Sequence, residues 1–194
     1  MSEFSIYLTL GAEHITDPRG YDHILFIIAL AATYMLKDWR PVAVLVTAFT
    51  IGHSITLVMA TLDLVQVSSE WIEFLIPLTI FLTCVFNYFQ TFDENKKPSS
   101  LNRYLIALSF GLIHGLGFSN FLRGLLGKET SIIEPLLAFN IGLELGQLAI
   151  VFGTLTVTSV FVTLLRVKRR EWMLLLTGAA GGMSIIMMLE RLPF

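Results

Sequence analysis

The chain has 194 residues, of which 55% are hydrophobic and 14% charged, and its mean hydropathy is +0.73. Soluble domains average about 25% charged residues, so this composition points to an integral membrane protein. A formal net charge of −2 gives no electrostatic basis for nucleic-acid binding, and the single cysteine, Cys84, excludes an intrachain disulfide and a cysteine-rich metal site.

The first residues, Phe4 to Leu10, are apolar but too short for a secretory leader. Glu3 also stands where a leader carries Lys or Arg, so the chain is expected to keep this N-terminus. Six stretches then approach the ~20 apolar residues that a bilayer core requires. They run from Tyr21 to Leu36, Pro41 to Val65, Trp71 to Thr91, Tyr104 to Leu126, Glu134 to Leu165 and Trp172 to Leu189. The first is the shortest and is expected to extend through its polar start. The fifth is long enough to tilt or to project beyond the bilayer. Asp93 to Ser100 is the clearest loop. No domain linker or low-complexity tract interrupts the chain. The expectation is one all-α domain over residues 1–194, a membrane bundle of about six transmembrane helices after a short outer N-terminal segment.

Orientation follows from the bias of Lys and Arg toward the cytoplasm. With the N-terminus outside, the inner loops hold nine: Lys37, Arg40, Lys96, Lys97, Arg103, Arg166, Lys168, Arg169 and Arg170. The outer side holds four: Arg19, Arg123, Lys128 and Arg191. Both termini are therefore expected outside.

Only four histidines occur, and their placement is the main chemical signal. His14 and His23 bracket a polar turn containing Asp17 and Asp22, whereas His53 and His114 lie inside apolar stretches. Counted at 1.5 Å per residue, His53 lies about 18 Å along the second stretch and His114 about 15 Å along the fourth. Glu144 lies about 15 Å down the fifth, so these three share a depth near the midplane. His14, Asp22 and His23 are expected above them, at the outer mouth. Ionisable groups at such depth are costly and commonly serve an ion path. Imidazole with carboxylate suits Ni²⁺, Co²⁺, Zn²⁺ and Cu²⁺ alike, so His14, Asp22, His23, His53, His114 and Glu144 are the candidate ligands. Asp22 also suits the start of a helix as a cap.

Supporting groups lie nearby. Thr50 and Ser54 sit within a turn of His53 and have hydroxyls to orient its ring. Asn140, Glu144 and Gln147 form a polar stripe at helical spacing. Glu73 opens the third stretch near the outer face, and Asn87 lies deeper in it. Gly111 with Gly115, and Gly142 with Gly146, have the spacing of close helix packing. Phe49-x-x-x-His53 and Phe110-x-x-x-His114 form a short repeat, which together with Asp22 and Glu73 at helix starts fits a parallel two-helix duplication.

Four ordered motifs carry a family resemblance. They are Gly11-x-x-His14 with Gly20-Tyr21-Asp22-His23-Ile24-Leu25-Phe26; Phe49-Thr50-Ile51-Gly52-His53-Ser54-Ile55-Thr56-Leu57; Phe110-Gly111-Leu112-Ile113-His114-Gly115-Leu116-Gly117-Phe118; and Phe139-Asn140-x-Gly142-x-Glu144-x-Gly146-Gln147. Over nearly the whole chain this closely resembles the HupE/UreJ family, regarded as secondary nickel or cobalt permeases and often linked to hydrogenase or urease maturation. The resemblance implies a multi-pass protein of the bacterial inner membrane. It also implies metal handling by His14, Asp22 and His23, with His53, His114 and Glu144 deeper in.

The expected function is a secondary transporter for nickel, with cobalt as a second cargo and zinc also compatible with the ligands. Lipid and a divalent ion are the expected partners, and a homo-oligomer is compatible with the glycine motifs. An intramembrane zinc hydrolase is the alternative, with Glu144 or Asp22 as base and Ser54 or Asn140 as oxyanion partner, although no HExxH pattern occurs. A membrane metal sensor or assembly partner is the third reading. Whether the outer and midplane histidines share one ion is open at this point.

Overall fold

With no water in the bilayer core to satisfy backbone N–H and C=O groups, an apolar segment closes its hydrogen bonds as a helix. The computed structural model describes residues 2–90, 100–126 and 132–193, and among them there is no strand. The helices are α1 (Glu3–Thr16), α2 (Asp22–Ala31), α3 (Trp39–Thr61), α4 (Ser69–Gln90), α5 (Ser100–Leu126), α6 (Ile133–Ser159) and α7 (Arg169–Glu190). A 3-10 turn, Leu36–Asp38, leads into α3, and a π turn, Val160–Leu164, ends α6. Among the described residues, four segments are long and apolar enough to cross a membrane: Leu36–Thr61, Ser69–Phe89, Ile133–Leu164 and Arg169–Glu190. Large apolar side chains such as Leu137, Phe152, Leu175 and Leu189 cover their outer faces, as lipid contact requires. The loop expected from Asp93 falls outside the described residues, as do Lys96, Lys97 and Lys128.

The N-terminal third departs from expectation. The first predicted crossing is cut short, because α2 has only 10 residues, about 15 Å of helix. The segment expected outside the bundle is instead α1, a helix of 14 residues with Tyr7, Gly11 and Ile15 buried. Hydropathy does not see where α2 stops, since its end is held by distant side chains. Asn87 Nδ2 donates to the Ala29 carbonyl at 2.6 Å, and Arg169 Nη2 donates to the Thr33 carbonyl at 2.6 Å. A helix terminating among apolar neighbours needs such donors for its last carbonyls. Asp22, at the other end of α2, lies 3.6 Å from Arg191. Arg169 and Arg191 mark the two ends of α7, so α2 and α7 run antiparallel.

Glycines set the bundle's two closest seams. A Cβ at Gly111 of α5 would strike the Phe49 carbonyl of α3 and stand 3.0 Å from His53 N. One at Gly52 of α3 would strike the Leu108 carbonyl of α5 and stand 2.9 Å from Leu112 N. The same pattern joins α1 to α6. A Cβ at Gly11 would strike the Phe139 carbonyl and stand 2.9 Å from Leu143 N, and one at Gly142 would strike the Leu8 carbonyl and stand 3.0 Å from Ala12 N. Backbones approach this closely only where Cβ is missing. Gly142 with Gly146, and Gly111 with Gly115, thus serve contacts within the chain.

The two seams match residue for residue. Gly11, Leu8 and Ala12 correspond to Gly111, Leu108 and Leu112, while Phe139, Gly142 and Leu143 correspond to Phe49, Gly52 and His53. The primary structure agrees: Ala48-Phe49-Thr50-Ile51-Gly52 echoes Ala138-Phe139-Asn140-Ile141-Gly142, and Gly11-x-x-His14 echoes Gly111-x-x-His114. Within each seam the contacts advance together, so its helices are parallel. Between seams α3 and α6 are antiparallel: Leu36 N meets Ser159 Oγ at 3.2 Å, while Thr47 meets Glu144. The halves are therefore inverted with respect to each other, the arrangement transporters build around a central site. The repeat expected from Phe49/His53 and Phe110/His114 equated α3 with α5; the contacts make those helices partners, and the equivalents are α1 with α5 and α3 with α6.

Candidate metal centre

The seams bring four imidazoles to one place. His53 sits on α3 beside Gly52, and His114 on α5 between Gly111 and Gly115, so the tightest part of that seam presents both. His14 lies one turn beyond Gly11 on α1, and His23 is the second residue of α2. Ring centroids lie 4.8 Å apart for His14 and His23, 6.1 Å for His14 and His53, 6.1 Å for His23 and His53, and 5.0 Å for His23 and His114. His14, His23 and His53 each offer a nitrogen within 4.8 Å of the others. Nitrogens bound at ~2.1 Å to one ion stand closer than this, so small ring rotations would complete the grip. The expected outer and midplane groups are one cluster.

The ring nitrogens divide into held and unheld atoms. His23 Nδ1 lies 2.9 Å from Asp22 Oδ1, which also accepts the His23 backbone N–H at 2.8 Å. That contact turns His23 Nε2 inward. His114 Nε2 lies 2.8 Å from Thr79 Oγ1. The Thr79 hydroxyl donates to the Ile76 carbonyl at 2.7 Å, so its oxygen accepts from His114 and leaves Nδ1 with its lone pair. His14 Nε2, His23 Nε2, His114 Nδ1 and both nitrogens of His53 are buried without a protein partner. An unsatisfied buried polar atom costs about 1–3 kcal/mol, and a bound ion could satisfy the five in this cluster.

Aromatic rings wall the cluster. Phe118 lies 3.9 Å from His14 and stacks on Phe139 at 5.0 Å, while Phe26 and Phe49 lie 5.2 and 5.1 Å from His114. Such a wall limits water and strengthens ligand electrostatics.

The other expected site residues lie elsewhere. Asp22 touches His23 and Arg191, and so orients a ring from one step away. Glu144 is not in the cluster; its carboxyl meets Thr47 Oγ1 at 2.6 Å and also Thr50 Oγ1. Thr50 further contacts Gln147 Oε1 at 2.7 Å, and Ser54 donates to the Thr50 carbonyl at 2.7 Å, so neither hydroxyl orients an imidazole. Asn140 Oδ1 has no partner. Glu73 lines a cleft of about 610 Å³ with Asp63, Gln66, Leu116, Gly117 and Ser119. Thr79 was not anticipated. It is 35 positions from His114, and only packing brings the two together.

A family model described as "HupE / UreJ protein" matches residues 1–191. No curated protein and no solved structure matches the chain. With that match over nearly its full length and its apolar helices, the chain belongs to the HupE/UreJ family, multi-pass membrane proteins connected with nickel and cobalt transport.

Proposed function

We propose that the protein is a secondary transporter carrying nickel, with cobalt as its second cargo, across the inner membrane of a bacterium. The observation that carries this reading is the set of unpartnered imidazole nitrogens converging from α1, α2, α3 and α5. His14, His23 and His53 would hold the ion, with His114 beside them. Borderline nitrogen donors without thiolate suit Ni²⁺ and Co²⁺.

α1 and α2 together make one interrupted crossing, with α3, α4, α5, α6 and α7 as the other five and both termini outside. The cluster then sits at the interruption, as ion sites do in transporters with broken helices. The cleft holding Asp63 and Glu73 opens beside Gly117, just past His114 on α5, and its carboxylates would attract cations from outside. Release inward follows when the inverted halves exchange arrangements.

Radiolabelled nickel uptake in cells tests the reading; unchanged uptake after His23→Ala or His53→Ala would contradict it. Two finer results are expected. Asp22→Asn keeps the size of the side chain but removes the charge that fixes His23, so nickel affinity should fall about 10–100-fold; isothermal titration of purified protein measures it. Metal binds imidazole only in its neutral form. Uptake should therefore fall at acid pH, where protons compete with the metal for the ring nitrogens, as initial rates across a pH series would show.

A further inference from the structure

Thr50 gathers more oxygen than its hydroxyl can serve. Three acceptors meet its Oγ1: the Val46 carbonyl at 3.2 Å, Gln147 Oε1 at 2.7 Å and a carboxylate oxygen of Glu144. A threonine hydroxyl has one hydrogen to give. Thr47, on the same helix, repeats the imbalance, with the Ala43 carbonyl at 3.0 Å and the other Glu144 oxygen at 2.6 Å. Gln147 is fully buried, and its Nε2 has no protein partner. Turning the amide lets Nε2 donate to Thr50 but leaves Oε1 without a donor instead. In either orientation Gln147 keeps an unserved polar atom, where buried amides as a rule are paired. Asn140 lies one turn before Glu144 on the same face of α6, and its Oδ1 is buried without a partner too.

Charge points the same way. Both threonine hydroxyls donate to Glu144, as an ionised carboxylate, an acceptor only, requires. Glu144 lies within the apolar segment Ile133–Leu164, and Thr47 is exposed on the bundle's outer face, so the contact borders lipid. A charge in that position calls for a partner. No Lys or Arg among the described residues pairs with Glu144. Oxygen in excess of hydrogen around one negative charge is the chemistry of a cation site. Carboxylate, amide and hydroxyl oxygens are hard donors, unlike the imidazoles of the cluster. One carboxylate neutralises a monovalent ion, whereas a divalent ion keeps a net charge beside lipid, at a desolvation cost.

We propose that Glu144, Gln147 and Thr50 form a binding site for a sodium ion, with Thr47 and Asn140 at its edge. The site is separate from the imidazole cluster and does not depend on the transport reading. It joins α3 to α6, the antiparallel helices of the two inverted halves, so a bound ion ties the halves together. The test titrates radiolabelled sodium into purified protein in detergent, with choline as the only other cation. One saturable site per chain is expected, and the melting temperature should rise as the site fills. E144Q keeps the shape of the side chain and removes its charge; T50V keeps the shape and removes an oxygen. Each should weaken sodium binding by about tenfold or more and blunt the thermal response. Circular dichroism shows which variants fold, and T50V carries the test if E144Q does not. No saturable sodium binding in the wild type, or wild-type affinity in a folded E144Q or T50V, would overturn the proposal. Displacement of the bound sodium by lithium ahead of calcium is expected; the reverse order would overturn the assignment to a monovalent ion.

Discussion

Replacing His53 by leucine is expected to abolish nickel binding and uptake while leaving the purified protein at least as stable as the wild type. His53 is fully buried and neither ring nitrogen has a protein partner. Its side chain therefore contributes ligand capacity and little else to the apo fold. Disturbing a group that merely supports a ligand costs about 10–100-fold in affinity, so loss of a ligand belongs at or beyond the upper end. Stability should move the other way, because an unsatisfied buried polar group costs about 1–3 kcal/mol and leucine has none. The inverted repeat supports the choice of residue, since Leu143 occupies the equivalent place in the α1–α6 seam. Isothermal titration with nickel and thermal melting in detergent separate the two effects. A stable protein that still binds nickel with wild-type affinity would remove His53 from the site.

Gly111→Ala should be among the most damaging single-methyl changes at the described glycines. The added carbon would lie on the Phe49 carbonyl oxygen and 2.9 Å from its carbon. Both atoms are backbone and cannot rotate away, so α3 and α5 must part. Overpacking of a tight core costs about 1–3 kcal/mol, occasionally more, and this contact belongs at the top of that range. The displacement also moves His53 and His114, so nickel binding should weaken with the melting temperature. Gly178→Ala provides the control. It also lies in a helix, but nothing stands within 4 Å of its Cβ position, so the helix-propensity gain of up to about 1 kcal/mol remains. Equal melting temperatures for the two variants would mean that the α3–α5 seam is looser than described.

The membrane class and the helical fold were legible because composition alone dictates them: apolar runs in a bilayer have no other way to satisfy the backbone. The four histidines stand out in the sequence for a related reason, since an imidazole inside an apolar run demands a partner. Their common depth does not. α1 carries Ser5, Thr9 and Glu13 and so does not read as a buried helix; Gly11 docks it on α6 through a backbone contact that hydropathy does not register. With α1 inside the bundle, His14 drops to the level of His53. The contacts of Asp22 and Glu144 are equally hidden, because a carboxylate that ligates an ion and one that meets a hydroxyl or an imidazole look alike in a sequence. The Ala-Phe-x-Ile-Gly echo between α3 and α6 is present in the sequence, but the stronger Phe-x-x-x-His match joins two helices that are partners rather than equivalents.

Nickel-edge X-ray absorption on purified protein loaded with one equivalent of nickel reads the ligands of the bound ion. One bound ion with at least three imidazole nitrogens in its coordination shell is expected, with loss of that signature on changing His14, His23 or His53. A shell dominated by carboxylate oxygen and indifferent to those histidines would contradict it.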